Sequence, residues 1–143
     1  TTERMLRAVL AALPRIDVLV MCAAVADYRP VRTAEGKHHE ATITVRLERT
    51  PDILKEVGRR HHHAVVVGFS LDDSVARAQA KLEQKQLDLI VANPFVTAGS
   101  GTIRARLVAR AGQPRGLKPM SKPDFARLLV AEVAALLARR TNK

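Results

Sequence analysis

The sequence is poor in cysteine and in aromatic residues, with one cysteine, no tryptophan, one tyrosine and three phenylalanines among 143 residues. A single cysteine excludes an internal disulfide framework and favours a reducing cytoplasm. Cys22 stands in an apolar segment, so we predict that it lies in the core. So few aromatic rings also leave little for the base-stacking platforms of single-strand nucleic-acid binders.

Long hydrophobic runs are missing too. The longest, Val18 to Ala26, is far shorter than the roughly 20 apolar residues of a membrane helix. The first residues carry mixed charge on a helical pattern, without the basic, apolar and small-residue regions of a secretory signal. Without repeats or a linker rich in Gly, Ser or Pro, residues 1–143 are predicted to form a single soluble domain.

Positive charge is abundant, with 24 Lys and Arg against 14 Asp and Glu and a net charge of +10. Such a surface attracts phosphate-bearing partners, and nucleic acid is one of them. The basic residues are scattered along the chain and form no basic arm, so nucleic-acid binding is unlikely and is kept as a second alternative.

Histidines are clustered, but not with metal-ligand spacing. His61, His62 and His63 are consecutive and cannot converge on one ion from an ordinary backbone, and His38, His39 and Glu40 lack the helical His-Glu-x-x-His pattern. We predict no metal site. The glycine-rich phosphate loops and the nucleophile elbow of hydrolases are also absent.

Hydrophobic periodicity predicts alternating helices and strands. Continuous apolar runs predict buried strands at 16–24, 64–71 and 87–94, and alternation predicts a half-exposed strand at 42–49 and an edge strand or hairpin at 102–110. Helices are predicted at 3–13, from Thr50 as N-cap with Pro51 at the first helical position, at 73–86 and after Ser121, where Ser121 and Asp124 form a capping box. This order predicts an α/β, Rossmann-like three-layer fold with a mainly parallel sheet.

Polar residues follow each predicted buried strand, in "AAVADYRP", "GFSLDD" and "VANP". Ligands of open parallel sheets bind outside the carboxyl ends of the strands, so these segments are candidate site walls. The alternative for the first is a turn in which Asp27 bonds local backbone and Arg29 is solvated. Lys81 and Lys85 are one helical turn apart and either straddle an anion or belong to an exposed face balanced by Glu83.

Six segments in this order resemble the phosphopantothenoylcysteine synthetase family, the phosphopantothenate–cysteine ligases of coenzyme A biosynthesis. They are "AAVADYRP", Lys37, "PDIL" at 51–54, "VGF" at 67–69, "KLEQKQLDLIVAN" at 81–93 and "SK" at 121–122. The resemblance runs from Thr2 to Arg140. In bacteria this domain is often the C-terminal half of a bifunctional chain of the DNA/pantothenate metabolism flavoprotein family, so FMN is expected only if a decarboxylase is fused upstream.

The resemblance implies a two-step ligation. The carboxylate of 4'-phosphopantothenate attacks the α-phosphate of CTP and releases pyrophosphate, and the amine of cysteine then attacks the acyl-cytidylate. Such a reaction needs charge neutralisation and alignment more than a protein nucleophile, which suits Mg²⁺ and lysines.

The resemblance also implies roles for individual residues. Lys37 is expected to be catalytic, on a loop that closes over the reacting phosphate. The expected nucleotide-binding residues are Ala24, Asp27, Pro51, Asp52, Ile53, Phe69, Lys81 and Lys85, with Asn93 as a weaker candidate. Asp27 would fix the base or ribose, Phe69 would pack near the cytosine, and the two lysines would hold the triphosphate.

In the family, strands at the position of 42–49 contribute to a homodimer, so dimerisation is expected here. The chain departs from the family at His38, His39 and Glu40, which replace lysines, and at Asp72 and Asp73, which add negative charge. The family's glycine-rich turn and substrate-binding asparagine precede "TTERM" and are outside these 143 residues. We therefore expect an inactive fragment, or alternatively a degenerate nucleotide-binding or oligomerisation module.

Overall fold

The computed structural model describes residues 1–32, 36–37, 39–72, 74–94 and 99–141. The helices are α1 (Thr2–Ala12), a short 3₁₀ turn (Leu13–Arg15), α2 (Ile53–Gly58), α3 (Val75–Gln84) and α4 (Lys122–Thr141). The strands are β1 (Val18–Met21), β2 (Tyr28–Pro30), β3 (Leu47–Arg49), β4 (Val65–Ser70), β5 (Leu89–Ala92), β6 (Thr102–Ile103), β7 (Arg106–Ala109), β8 (Arg115–Gly116) and β9 (Met120–Ser121). In the described part of the chain, no helix is long and apolar enough to cross a membrane.

A five-stranded sheet in the order β1-β4-β5-β7-β8 forms the centre of the fold. Strands β1, β4 and β5 are parallel, whereas β7 and β8 are antiparallel to their neighbours. Two small antiparallel ribbons, β2–β3 and β6–β9, lie outside this sheet. The predicted α/β fold is confirmed, with the parallel strands carrying the three strand ends selected from the sequence.

Alternate residues of the central strands point to two separate apolar layers. Val66 and Ile90 pack with α1, α2 and α3 on one face, and Val67 and Val91 pack with α4 on the other. Because both faces are covered, β4 and β5 can be apolar throughout, which explains their continuous hydrophobic runs. The result is the predicted three-layer arrangement.

Strand β1 differs from its prediction. It occupies the edge of the sheet and ends at Met21, and the side chain of Val20 is 43% exposed. Burial on both faces was therefore a wrong prediction, because packing covers this edge strand incompletely. Cys22 directly follows the strand and is exposed, so its predicted core position is also wrong.

The alternating segments give shorter strands than predicted. Of 42–49, only Leu47–Arg49 is a strand, and it pairs with Tyr28–Pro30 from a segment predicted to be irregular. The apolar face of this segment is exposed rather than packed on the core. Residues 102–110 divide between β6 and β7, which belong to different sheets. The sequence did not predict this division, because alternation does not reveal which strand is the partner.

Helix N-termini are capped by side chains, one of them other than predicted. Asp52, not Thr50, caps α2 through a bond from the Lys55 backbone N–H. Ser74 caps α3. The predicted cap before α4 is confirmed, since the Asp124 backbone N–H donates to Ser121 Oγ at 3.2 Å. The Asp124 carboxylate accepts from Ser121 Oγ at 2.6 Å, where the reciprocal bond of a capping box would come from the Ser121 backbone N–H.

Helix α3 ends in a left-handed turn at Gln86, whose φ is 55°. The Leu87 N–H bonds to Leu82 O at 2.9 Å and the Gln86 N–H to Glu83 O at 3.1 Å, which is a Schellman motif.

Gln86→Gly is expected to raise the free energy of unfolding by about 1 kcal/mol, because glycine adopts this conformation without steric cost. Urea titration measures the effect. Gln84→Gly, inside the helix, should lower stability by a similar amount; an unchanged midpoint for Gln86→Gly would contradict the prediction.

Candidate functional site

A cleft of about 1010 Å³ opens at the carboxyl ends of β1, β4 and β5. Residues at the end of each strand or in the segment directly after it line the cleft, including Asp27, Phe69 and Asn93. The parallel arrangement brings these ends to one edge of the sheet, although they are far apart in the sequence. The expectation that the strand ends converge is confirmed.

Thr50 joins the segment after β1 to the segment before α2. Its hydroxyl donates to Ala26 O at 2.6 Å, and its backbone N–H donates to Asp27 O at 2.9 Å. These two bonds hold Asp27 beside Pro51 and Asp52 in one wall of the cleft. Thr50 therefore connects the two segments that form this wall, and its hydroxyl is used for that contact rather than as the cap of α2.

Lys81 projects from α3 to the end of β4. Its Nζ donates to Ser70 Oγ at 2.7 Å, and Ser70 is buried. The Ser70 carbonyl in turn accepts from the Asn93 backbone N–H at 3.0 Å, which joins the ends of β4 and β5. The ammonium group of Lys81 is therefore fixed above the centre of the sheet edge.

Lys85 lies one residue beyond α3 and faces the N-terminus of α2. Its Nζ is 2.9 Å from Asp52 Oδ2, while Asp52 Oδ1 accepts from the Lys55 backbone N–H at 3.1 Å. A Cβ added to Gly58 would lie 2.4 Å from Lys85 O, so α2 approaches this turn closely only because residue 58 is glycine. The two predicted lysines face the same cleft. Glu83, the expected balancing acid, instead accepts from Gln79 at 2.9 Å.

Most of the residues predicted for the site are brought together. Those lining the cleft are Ala24, Asp27, Pro51, Asp52, Ile53, Phe69, Lys81, Lys85 and Asn93. Lys37 is exposed and is not among the lining residues. The structure therefore assembles the predicted nucleotide-binding set without placing the predicted catalytic lysine in it.

The polar residues at the end of "AAVADYRP" have roles away from the cleft. Arg29 is exposed, as the alternative interpretation expected, and it also pairs with Glu48 at 2.8 Å and with Glu3. Tyr28 lies under the Arg49 guanidinium, 5.4 Å from ring centroid to Cζ. Only the first part of this segment, up to Asp27, lines the cleft.

Asp72 and His62 do not line the cleft. Asp72 accepts two bonds from Arg77, at 2.5 and 2.8 Å, which hold the pKa of its carboxyl well below its ordinary value, and it does not line the cleft. Burial lowers the pKa of His62, and the nearby charge of Arg140 lowers it further. Asp73 and His38 are outside the described residues.

Ser70 and Lys122 are among the cleft residues that escaped prediction. The sequence placed Ser70 at a strand end, but nothing in the sequence indicates its hydrogen bond to Lys81, eleven positions later. Lys122 lies in the "SK" segment, to which the resemblance attached no role. It lines the cleft from the first turn of α4 beside Phe125 and Leu129, and it forms no ion pair with any residue that the structure describes.

A three-layer α/β domain with lysines lining the cleft at the carboxyl ends of its parallel strands defines a Rossmann-like domain. Residues 1–137 match the family model of the DNA/pantothenate metabolism flavoprotein C-terminal domain. The chain belongs to this family.

Related proteins agree with this assignment. The chain is 37% identical over 140 residues to the coenzyme A biosynthesis bifunctional protein CoaBC of Bacillus subtilis (strain 168), covering 92% of this chain and 34% of the relative. It is 28% identical, with a TM-score of 0.78, to the crystal structure of the C-terminal domain of a CoaBC protein, covering 96% of this chain and 63% of that one. A DNA/pantothenate metabolism flavoprotein from Streptococcus pneumoniae shares the fold, at 22% identity and a TM-score of 0.79. This chain thus spans about a third of the length of the curated relative.

Proposed function

We propose that this chain forms part of a phosphopantothenate–cysteine ligase that uses CTP. The carboxylate oxygen of 4'-phosphopantothenate forms a bond to the α-phosphorus of CTP, and pyrophosphate leaves. The amine of cysteine then forms an amide with the activated carbonyl, losing a proton, and CMP leaves. The observation that carries the proposal is the cleft in which Lys81 and Lys85 meet the three strand ends.

The cleft residues suit binding and alignment of a nucleoside triphosphate. The ammonium groups of Lys81 and Lys85 neutralise phosphate charge, which lowers the barrier to attack by an anionic carboxylate. Phe69 and Ile53 offer apolar surface to the base, and Asp27 offers a carboxylate to accept its amino group or the ribose hydroxyls. Holding both reactants in one cleft also removes the entropic cost of their encounter.

Mg²⁺ enters this proposal with the nucleotide. Among the described residues, no three His, Cys, Asp or Glu side chains are grouped so as to hold a metal ion. Protein sites for Mg²⁺ in phosphate chemistry commonly rely on the substrate phosphates with only one or two carboxylates. A Mg–CTP chelate therefore fits these residues better than a resident metal does.

A homodimer through the β2–β3 ribbon is part of the proposal. The side chains of Ile43, Val45 and Leu47 are each more than half exposed, and Tyr28 and Val31 are nearly so. Several large apolar residues exposed on two paired segments are typical of a protein interface. A location in a reducing cytoplasm, inferred from the single cysteine, stays a prediction.

Titration calorimetry with Mg–CTP and Mg–ATP tests the nucleotide assignment. We expect saturable CTP binding that weakens about tenfold or more in Lys81→Ala, because a charge-assisted bond to phosphate is lost. Lys118→Ala is the matched control: it makes the same change of charge at an exposed position outside the cleft, and it should bind within twofold of the parent.

The outcomes separate the remaining functions. Equal affinity of Lys81→Ala and the parent would contradict the placement of the triphosphate. CTP binding without ligation, in a full-length polypeptide that contains this chain, would support the degenerate nucleotide-binding module. Salt-sensitive oligonucleotide binding with no response to CTP would support the nucleic-acid alternative.

A further inference from the structure

The lysine expected to bind phosphate already has an anionic partner in the cleft. Lys85 Nζ lies 2.9 Å from Asp52 Oδ2, and the Lys85 side chain is only 25% exposed. A phosphate entering the cleft meets the Asp52 carboxylate at the same ammonium group. Two anions then compete for one cation in a partly desolvated place, where charges interact more strongly than in bulk water.

Asp52 is held in this position independently of Lys85. It is the N-cap of α2, where its Oδ1 accepts from the Lys55 backbone N–H at 3.1 Å. Its other oxygen is left to face Lys85, so the carboxylate cannot turn away from the cleft without losing the cap. The neighbouring lysine differs, because Lys81 is held by the neutral hydroxyl of Ser70 at 2.7 Å. Lys81 is thus positioned by the dipole of a hydroxyl group, whereas the charge of Lys85 is neutralised by the Asp52 carboxylate.

We propose that Asp52 is a built-in counter-ion of Lys85 that lowers the anion affinity of the cleft. With the cleft empty, Asp52 keeps the Lys85 ammonium oriented at the wall. When a phosphate group binds, Lys85 is shared with it and the Asp52 carboxylate repels the ligand. An anion that reaches Lys85 alone is therefore held weakly, whereas a polyphosphate that also reaches Lys81 gains a second cation that no carboxylate neutralises. This inference rests on the proposed placement of phosphate at Lys81 and Lys85.

The test is the variant Asp52→Asn, titrated with inorganic pyrophosphate and with inorganic phosphate in the absence of divalent metal. Asparagine caps helices as well as aspartate does, so the unfolding midpoint should stay unchanged while the charge is removed. We expect pyrophosphate to bind about tenfold more tightly, as loss of one repulsive charge at this range predicts. Inorganic phosphate meets the same carboxylate at Lys85, so its affinity should rise by no larger factor.

Glu56→Gln is the matched control, since it removes one negative charge from the same helix. Glu56 pairs with Arg59 at 2.6 Å and does not line the cleft. Its pyrophosphate affinity should stay within twofold of the parent. A gain in pyrophosphate affinity that is confined to Asp52→Asn supports the proposal. Equal gains in both variants would overturn it. Unchanged or weaker pyrophosphate affinity of Asp52→Asn, or no binding to this variant and the parent, would overturn it too.

The probe separates this inference from the function on which it rests. Pyrophosphate carries no base, so a tenfold gain for Asp52→Asn would stand even if calorimetry found no preference for CTP. Conversely, specific CTP binding with no gain for Asp52→Asn would preserve the nucleotide site and remove the role of Asp52.

Discussion

Lys37→Ala, in an active full-length polypeptide that contains this chain, is expected to slow nucleotidyl transfer about 100- to 1000-fold. The resemblance places this lysine over the reacting phosphate, where it would stabilise negative charge that develops as pyrophosphate leaves; removal of one such group typically costs this much in rate. Because Lys37 is exposed and outside the cleft, neither stability nor binding of Mg–CTP should change appreciably. Release of labelled pyrophosphate measures the step.

Lys118→Ala again supplies the control, as an exposed lysine outside the cleft. Its rate should equal that of the parent. Undiminished pyrophosphate release in Lys37→Ala would remove Lys37 from the reaction. A loss of CTP binding as large as the loss of rate would make it a nucleotide-binding residue and not one that acts in the transition state.

Asp88→Ala is expected to lower the free energy of unfolding by about 2–3 kcal/mol. Asp88 is buried at 9% exposure, its Oδ2 accepts from the Val66 backbone N–H at 2.7 Å and its Oδ1 from Arg140 at 2.9 Å. Alanine leaves the Val66 N–H buried without a partner and frees a guanidinium that also bonds to the carbonyls of His63 and Ala64. The estimate is moderate because Arg140 is 40% exposed and its charge is partly screened by solvent.

Urea unfolding followed by circular dichroism measures this loss. The control is Asp17→Ala, since the Asp17 side chain is 74% exposed and lies 3.5 Å from His63; its effect should be below about 0.5 kcal/mol. If Asp88→Ala unfolds at the same urea concentration as the parent, the cluster that ties the end of α4 to β4 and β5 contributes nothing to stability.

The sequence was informative where a residue's environment follows from its local pattern. The runs containing Val65–Ser70 and Leu89–Ala92 predicted buried strands correctly, because both faces of these strands are covered and apolar side chains therefore occupy every position. Ser121 and Asp124 predicted the cap before α4, since a cap of this kind closes within four residues. Short-range chemistry of this kind needs no knowledge of the rest of the fold.

The exposure of edge strands and the pairing of strands were harder to predict from the sequence. The apolar run around Val20 has the same composition as the central strands, yet its exposure depends on its place at the edge of the sheet. Likewise, alternation at 42–49 indicated a strand but not that its partner is Tyr28–Pro30 or that its apolar face is uncovered. Coverage of a face is decided by elements distant in the sequence, which periodicity does not identify.

By itself the sequence determined the layered α/β class, the three strand ends and most of the residues that line the cleft, because hydrophobic periodicity and turn chemistry are local. Only the tertiary structure decided how those residues meet: Lys81 with Ser70, Lys85 with Asp52, and Lys122 across from them on α4. It also separated Lys37 from the lining residues that the same resemblance had grouped with it. Contacts between side chains depend on where helices cross the sheet, and that is set by the packing of the whole core.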